Sequence, residues 1–510
     1  MTLRPLLSVL VLVLGAGCSQ GRAYPPGIIV VATANAPSNF DPRVGTDEAS
    51  QKIHQLLYNH LVRIDDQLRI VPELAESITN PEPTRYVATL RRDVRFHDGR
   101  ALTARDVAFT FNSFLDPNFT SARKGAYRLL QSVRAVDDYT VEFLLKEPFG
   151  SFPINLVMGI VPDGSPASIA QQPVGTGPYK FVSYAADDRT VLAPNTAYFD
   201  GAPANDGLVL KVVPDETMRG LELRKGSADM VVNDLAPDVI HTLVDEGRVA
   251  IKTATGVDYA YIGFNLRDPM VRDPRVRQAI GFAINREAIV EYLRRGMARV
   301  ASGVIPPLSW AFADDTFKFT YDPARATQLL DEAGYRDPDG DGGKPRLRLT
   351  LKTSTSEVYR VQAAVIQRDL ADVGIELELR SMEFATLSAD IARGNVQMYT
   401  LQWVGVTDPD MLRRVFHSGQ IPPSGFNRGH YMSSEVDALL DRATRSTDDA
   451  ERKALYGDVQ RLVARDAPYI GLWYKTNVVV HQPSLQGVTL SPIADYTFLR
   501  HVHRGATTTS

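Results

Sequence analysis

Several short constellations in the 510-residue chain carry residue types that do chemistry. Asp337-Pro-Asp339-Gly-Asp341-Gly342 has acidic residues at loop positions one, three and five with Gly at six, the pattern of a calcium loop. The twelfth position is Arg348 instead of a bidentate Glu, and Pro345 with a β-rich run stands where the exit helix belongs. An exposed acidic turn is therefore the expectation. Phe96-His97-Asp98-Gly99 sets a His beside an Asp, but the Gly after a strand-like run reads as a turn. Gly175-Thr-Gly-Pro-Tyr179 lacks the Lys-Ser/Thr pair and helix start of a phosphate loop and reads as a backbone crossing. His501 and His503 share one face of a strand-like run, with no third ligand near them to complete a metal site. Arg275, Arg277 and Arg286 could form an anion site on one helix; pairing with Asp273 and Glu287 on a solvated face is the simpler expectation. No Gly-x-Ser-x-Gly elbow, His-Glu-x-x-His, Walker loop or dinucleotide fingerprint occurs, and no cysteine is left over as a nucleophile. Catalysis is not signalled.

These residues are carried by alternating strand-like and helix-like segments. Strands are expected at 28–34, 85–92, 140–145, around 191–192, 207–213, 347–352 and 375–380. Helices are expected at 216–225, 274–294, 323–332, 357–372, 434–446 and 450–466. Another opens at Thr103, an N-cap with Asp106 three residues on, and runs through Phe114. Alternation of this kind makes α/β lobes, and the length exceeds what one core supports, so two or three lobes are expected.

Hydrophobic residues are 44% and charged residues 23% of the chain, and the net charge is −4. That is an ordinary folded composition without the basic stripe that nucleic acid requires, so nucleic acid is excluded as a partner. The N-terminus departs from it. Arg4, a nearly unbroken apolar run from Leu6 to Leu14 and the small residues Gly15-Ala16-Gly17 form a signal-peptide pattern, too short to span a membrane. Cys18 is the only cysteine, so an intramolecular disulfide is impossible. It follows the small residues directly, and Leu-Gly-Ala-Gly-Cys resembles a bacterial lipobox with its Leu one place further back than usual. Cys18 is thus the expected lipidation site, with cleavage of the whole segment as the alternative.

From Leu57 onward, short blocks follow one another in a fixed order. They include Leu57-Tyr-Asn-His-Leu-Val-Arg-Ile-Asp65, Leu90-Arg-Arg-Asp-Val-Arg-Phe-His-Asp-Gly99, Val174-Gly-Thr-Gly-Pro-Tyr-Lys-Phe181, Asp273-Pro-Arg-Val-Arg-Gln-Ala-Ile280, Leu329-Leu-Asp-Glu-Ala-Gly-Tyr335 and Val373-Gly-Ile-Glu376. Together they resemble the family 5 (peptide/nickel type) extracellular solute-binding proteins of ABC importers over nearly the whole mature chain. The resemblance implies an α/β fold of the periplasmic-binding-protein type II-like class (cluster C), two lobes with a hinge plus an inserted third domain. Carried onto this chain, 1–17 is the signal peptide and 18–27 a lipid-anchored tether. The base lobe takes 28–58, 175–264 and 477–505, the inserted domain 59–174 and the second lobe 265–476, with hinge crossings near Phe264 and Thr476.

What the family implies for function is capture of a di- or oligopeptide between closing lobes and delivery to a permease and ATPase complex, outside the cytoplasmic membrane. It implies a monomer, no cofactor and no metal; nickel chelates or sugars are the other ligands the fold serves. Thr46 and Asp47 match the region that pairs with an extended ligand. Trp403, Val404 and Gly405 match the family's tryptophan-containing segment, whose ammonium-binding Asp corresponds to Val406 here. Either Asp408 takes over two residues later, or a free peptide N-terminus is not anchored in the usual way. Trp473 and Tyr474 are either aromatic lining or core.

Overall fold

In the computed structural model, residues 24–340 and 343–505 are described. The signal peptide, Cys18, most of the tether and two residues of the acidic 337–342 turn lie outside them. Among the described residues no helix is long and apolar enough to cross a membrane.

The molecule is organised by one eleven-stranded sheet that runs through both lobes. On the base-lobe side β1 (Ile28–Thr33) lies parallel to β2 (Gly207–Val212) and to β3 (Met230–Val232). Ile29 to Ala32 are buried on both faces, as a parallel strand covered by helices requires. Two long strands then carry the sheet onward. β4 (Ala250–Phe264) pairs antiparallel with β8 (Tyr469–His481) along nearly its full length. Beyond β4 lie β7 (Met398–Trp403), antiparallel to it, then β5 (Leu347–Ser354) and β6 (Ile375–Met382), both parallel to β7's direction.

The register of β4 on β8 slips between Thr255 and Tyr259, and the packing partners of β4 change across the slip. On one side Ala250 to Thr255 pair with Thr476 to His481 and are largely exposed. On the other, Ala260, Ile262 and Phe264 join the core of the second lobe with Leu349, Ile366 and Ile470, while Tyr259 and Tyr261 join its opposite face with Tyr399, Phe416 and Tyr456. The crossing read from sequence at Phe264 is corrected by this: residues 259–264 pair with β7 and pack in the second lobe. The crossing is a β-bulge at Gly256, where an added Cβ would stand 2.2 Å from the Lys475 carbonyl. A bulge bends and twists a ladder locally, which is the geometry a hinge needs.

The inserted domain has its own four-stranded antiparallel sheet and its own core around Phe111, Phe143 and Leu156. Thr103 and Asp106 form a capping box at the helix Ala104–Asn112. The Gly175-Thr-Gly177 segment joins this domain to the base lobe. Gly177 N–H donates to Leu57 O at 2.9 Å and Thr176 Oγ1 to Asn59 Oδ1 at 3.0 Å. His97 closes the junction, accepting from Gly175 N–H at Nδ1 and donating from Nε2 to Gly177 O. Burial pushes its imidazole down to about 4, so it stays neutral; the 96–99 segment is a turn with Gly99 at φ +91°.

The arginines of the 274–294 segment differ from expectation. Arg275 does pair with Asp273, at 2.6 Å. Arg277 and Arg286 are each 4% exposed and face inward, and their guanidinium groups bond backbone carbonyls rather than carboxylates. The helix itself stops at Ala283, because Asn285 caps a fresh turn through Ala288 N–H and its own N–H is held by Asp369.

Candidate functional site

The site is built where both sets of parallel strands end. β3 runs antiparallel to β8, so its carboxyl end at Val232 points toward the hinge, and β1 and β2 end beside it at Thr33 and Val212. In the second lobe, Trp403 pairs with Tyr259 next to the bulge, so β7 also ends at the hinge, with β5 and β6 parallel to it. The carboxyl ends of two parallel sheets therefore face each other across the hinge, the position at which open α/β sheets hold ligands.

The base-lobe wall mixes polar groups with apolar ones, among them Pro37, Leu210, Val212, Val232 and Tyr496. Thr33, Ala34 and Asn35 after β1, Glu48 and Lys52 of α1 (Glu48–Leu57), and Asp234 after β3 line one hollow there. Lys52 donates to Ala494 O and lies over the Tyr496 ring at 5.3 Å. Burial pulls its ammonium below the usual value, opposed by Glu48, Asp495 and Asp258. Burial likewise raises Asp234, with Ala34 N–H bonding its carboxylate and opposing the rise.

The second lobe exposes apolar side chains at and after its strand ends. Val404 is 75% exposed at the tip after β7, and Val358, Val361 and Phe384 are exposed in the helices that follow β5 and β6. The Val404-Gly405 tip is pinned to the hinge itself. Asp258 accepts Gly405 N–H at 2.9 Å and Gln402 Nε2 at 3.0 Å, and Val406 N–H reaches Val257 O. Gly405 has φ +66°, a left-handed conformation that glycine adopts without strain. Burial raises the Asp258 carboxyl, and the Gly405 bond and Lys475 act against that.

Sequence-derived candidates divide between this cleft and other places. Val404 and Gly405 are in it. Trp403 is partly buried, stacked on Tyr261 at 9° interplanar angle with the Arg428 guanidinium 4.7 Å over its ring. Thr46 is exposed, and its carbonyl takes the Gln51 side chain. Asp47 is the N-cap of α1, accepting Ser50 N–H and Ser50 Oγ and the Ser38 hydroxyl, so its oxygens are committed. Trp473 and Tyr474 are corrected to core: they are 3% and 1% exposed on opposite faces of β8, and the Tyr474 hydroxyl donates to Gly303 O at 2.6 Å.

Asp408 is engaged within the protein. Its Oδ1 accepts Asp410 N–H and Ser151 Oγ, each at 2.8 Å, so it braces the turn before Asp410, the N-cap of the Met411–Phe416 helix, and meets the inserted domain. Burial and the neighbouring Asp410 charge push its carboxyl up to about 6, against Arg452. A raised carboxyl stabilises the fold fully below the ordinary value of 3.8 and loses that contribution as pH rises through about 6. Asp408→Asn keeps the Oδ1 acceptor and sheds the disfavoured charge. It is expected to be more stable than wild type by about 1–3 kcal/mol at pH 7.5, with the gap roughly halved at pH 5 and closing only below the ordinary value of 3.8, in paired thermal melts. A variant equally destabilised at both pH values would sink this reading.

Lys52, Asp234, Asp258 and Lys475 were missed. The one sequence signal for them is Gly256-Val-Asp258 interrupting an otherwise β-like run.

The family profile for bacterial extracellular solute-binding proteins, family 5, matches residues 69–422. The oligopeptide-binding protein AppA of Bacillus subtilis is 32% identical over 501 residues, 94% of this chain and 91% of that protein. Its solved structure with a nonapeptide superposes with a TM-score of 0.76 at 30% identity, covering 94% of this chain and 98% of that one. Heme-binding protein A of Haemophilus influenzae is 31% identical over 508 residues, covering 93% and 92%. NikZ of Campylobacter jejuni, solved with Ni(L-His), superposes with a TM-score of 0.79 at 25% identity, covering 94% and 100%. With a profile match over most of its length and relatives aligned nearly end to end, this chain belongs to the bacterial extracellular solute-binding proteins of family 5.

Proposed function

We propose that the protein is the solute-binding component of an ABC importer, capturing a peptide between its lobes and passing it to a permease and ATPase complex. The observation that carries this is the meeting of strand ends at the hinge: the base lobe presents Thr33, Asn35, Lys52 and Asp234 among apolar neighbours, and the second lobe presents the exposed Val404 tip. A peptide offers main-chain polar groups to the first and side chains to the second. One relative aligned over most of its own length is an oligopeptide-binding protein. Closure follows from the two walls belonging to different lobes: a ligand that touches both favours the closed arrangement by its difference in affinity for the two states. The cleft is a place of binding, not turnover. Cys18 would hold the mature protein by lipid at the outer face of the membrane, the body standing in water as a monomer.

Heme or a nickel chelate is the second reading, favoured by the heme-binding relative at 31% identity. The test is thermal-shift screening of the purified chain against di- to nonapeptide pools, nickel–histidine and heme, followed by calorimetry on any hit. Stabilisation by peptides alone is expected. Val404→Arg should weaken that binding about tenfold with no change in its own melting, since the side chain is exposed. Stabilisation by heme or nickel–histidine and by no peptide would replace the ligand named here.

A further inference from the structure

The lobes also meet far along the chain from the hinge strands, through the inserted domain. The 147–152 loop follows the strand Thr140–Leu145 and is held rigidly in that domain: Phe149 and Phe152 are in its core, and the Tyr86 hydroxyl donates to Phe149 O at 3.1 Å. Its outer side is docked on the second lobe. Gly150 N–H donates to Thr444 O at 2.8 Å, and Ser151, 2% exposed, donates from Oγ to Asp408 while accepting from Arg452 Nη2 at 2.6 Å. Arg452 is itself buried against Trp310 and Tyr456. The backbones approach so closely that a Cβ on Gly150 would stand 2.0 Å from Ser446 O.

That last distance separates a lobe contact from an ordinary turn. Gly150 is not among the residues of positive φ, so its own backbone accepts an alanine, and the crowding atom is a carbonyl of the other lobe. The glycine is required only while the lobes stand as they do here. From this we infer that Gly150 and Ser151 form a latch through which the inserted domain sets how firmly the lobes close, acting on ligand affinity without touching the ligand. The inference rests on the two-lobe receptor reading above. By population arithmetic, a latch that no longer closes lowers apparent affinity by the fraction of molecules left competent, whatever the ligand.

The test requires no ligand. Cys18 is the only cysteine, so the full chain carrying Cys18→Ser takes nitroxide labels at Glu82→Cys in the inserted domain and Glu435→Cys in the second lobe, both exposed. Pulsed dipolar spectroscopy should give a short-distance population in this parent. Gly150→Ala should shrink it about tenfold in favour of longer distances, with unchanged circular dichroism and melting. Ser151→Ala removes the hydroxyl bonds without a clash and should open the lobes in the same direction to a smaller extent. It carries the test should Gly150→Ala fail to fold. A parent lacking the short distance, or variants whose distributions coincide with the parent's, would overturn the latch. Because no solute is added, this outcome is independent of whether peptide is the ligand.

Discussion

Arg277→Met is expected to destabilise the second lobe by about 4 kcal/mol, the largest effect of any single side chain considered. Arg277 donates from Nε to Ala467 O at 2.9 Å, from Nη1 to Val271 O at 2.8 Å and Arg272 O at 2.6 Å, and from Nη2 to Asp466 O. The Asp466 and Ala467 carbonyls are the orphaned end of the helix Asp449–Asp466, which closes at Ala467 in a left-handed conformation, φ +49°. The guanidinium thus caps one helix from the start of another. Burial depresses it to about 10, well above physiological pH, so it remains charged, and a helix C-terminus favours that charge. Methionine fills similar space and leaves four carbonyls without their donor. Urea unfolding should show the loss in the midpoint with little change in slope. A loss below about 1 kcal/mol would mean that the side chain behaves as a solvated surface cation.

The second large effect is expected at the hinge. Gly256→Val places a branched side chain where an added Cβ already meets Lys475 O at 2.2 Å, with Asn477 Oδ1 at 3.2 Å. The obstacle is the backbone of the partner strand, which no rotamer relieves. Either the β4–β8 ladder opens at its bulge or the lobes swing to a different angle. The expected result is a stability loss of about 3 kcal/mol together with altered lobe separation in small-angle scattering. Wild-type scattering and stability in this variant would remove the bulge from the hinge assignment.

Much of the architecture was legible because its helices carry their own punctuation. The segments 216–225 and 323–332 begin after Asp215 and Asp322, whose carboxylates accept N–H groups of the first turn, and the first of them ends at Gly226 in the left-handed region. The hinge strands lack such marks. The 251–255 half of β4 is largely exposed, whereas Tyr259 to Phe264 are buried on both faces, so no single period runs through the strand. Register and bulge are properties of pairing with β8, more than two hundred residues away in the chain.

The site was harder to read than the fold, for a reason visible at Asp408. Its spacing from Trp403 suggests a ligand role, yet Asp-Pro-Asp also makes a turn, and here Asp408 Oδ1 holds the N–H of Asp410 ahead of a short helix. Trp473 and Tyr474 failed in the same way. Aromatic residues suit both linings and cores, and only the pairing of β8 on both sides decides that they are core. Asp258, which holds the exposed tip of the cleft, could not be singled out because its partners Gln402 and Gly405 are distant in sequence.

The central claim is that this receptor closes on a peptide between its lobes, and native mass spectrometry of the chain purified from its own cell envelope under mild conditions tests it most directly. The account predicts a bound mass that is released on activation and fragments into amino-acid residues, and whose removal lowers the melting temperature. A released mass that is heme, a metal chelate or another solute without peptide bonds would contradict it.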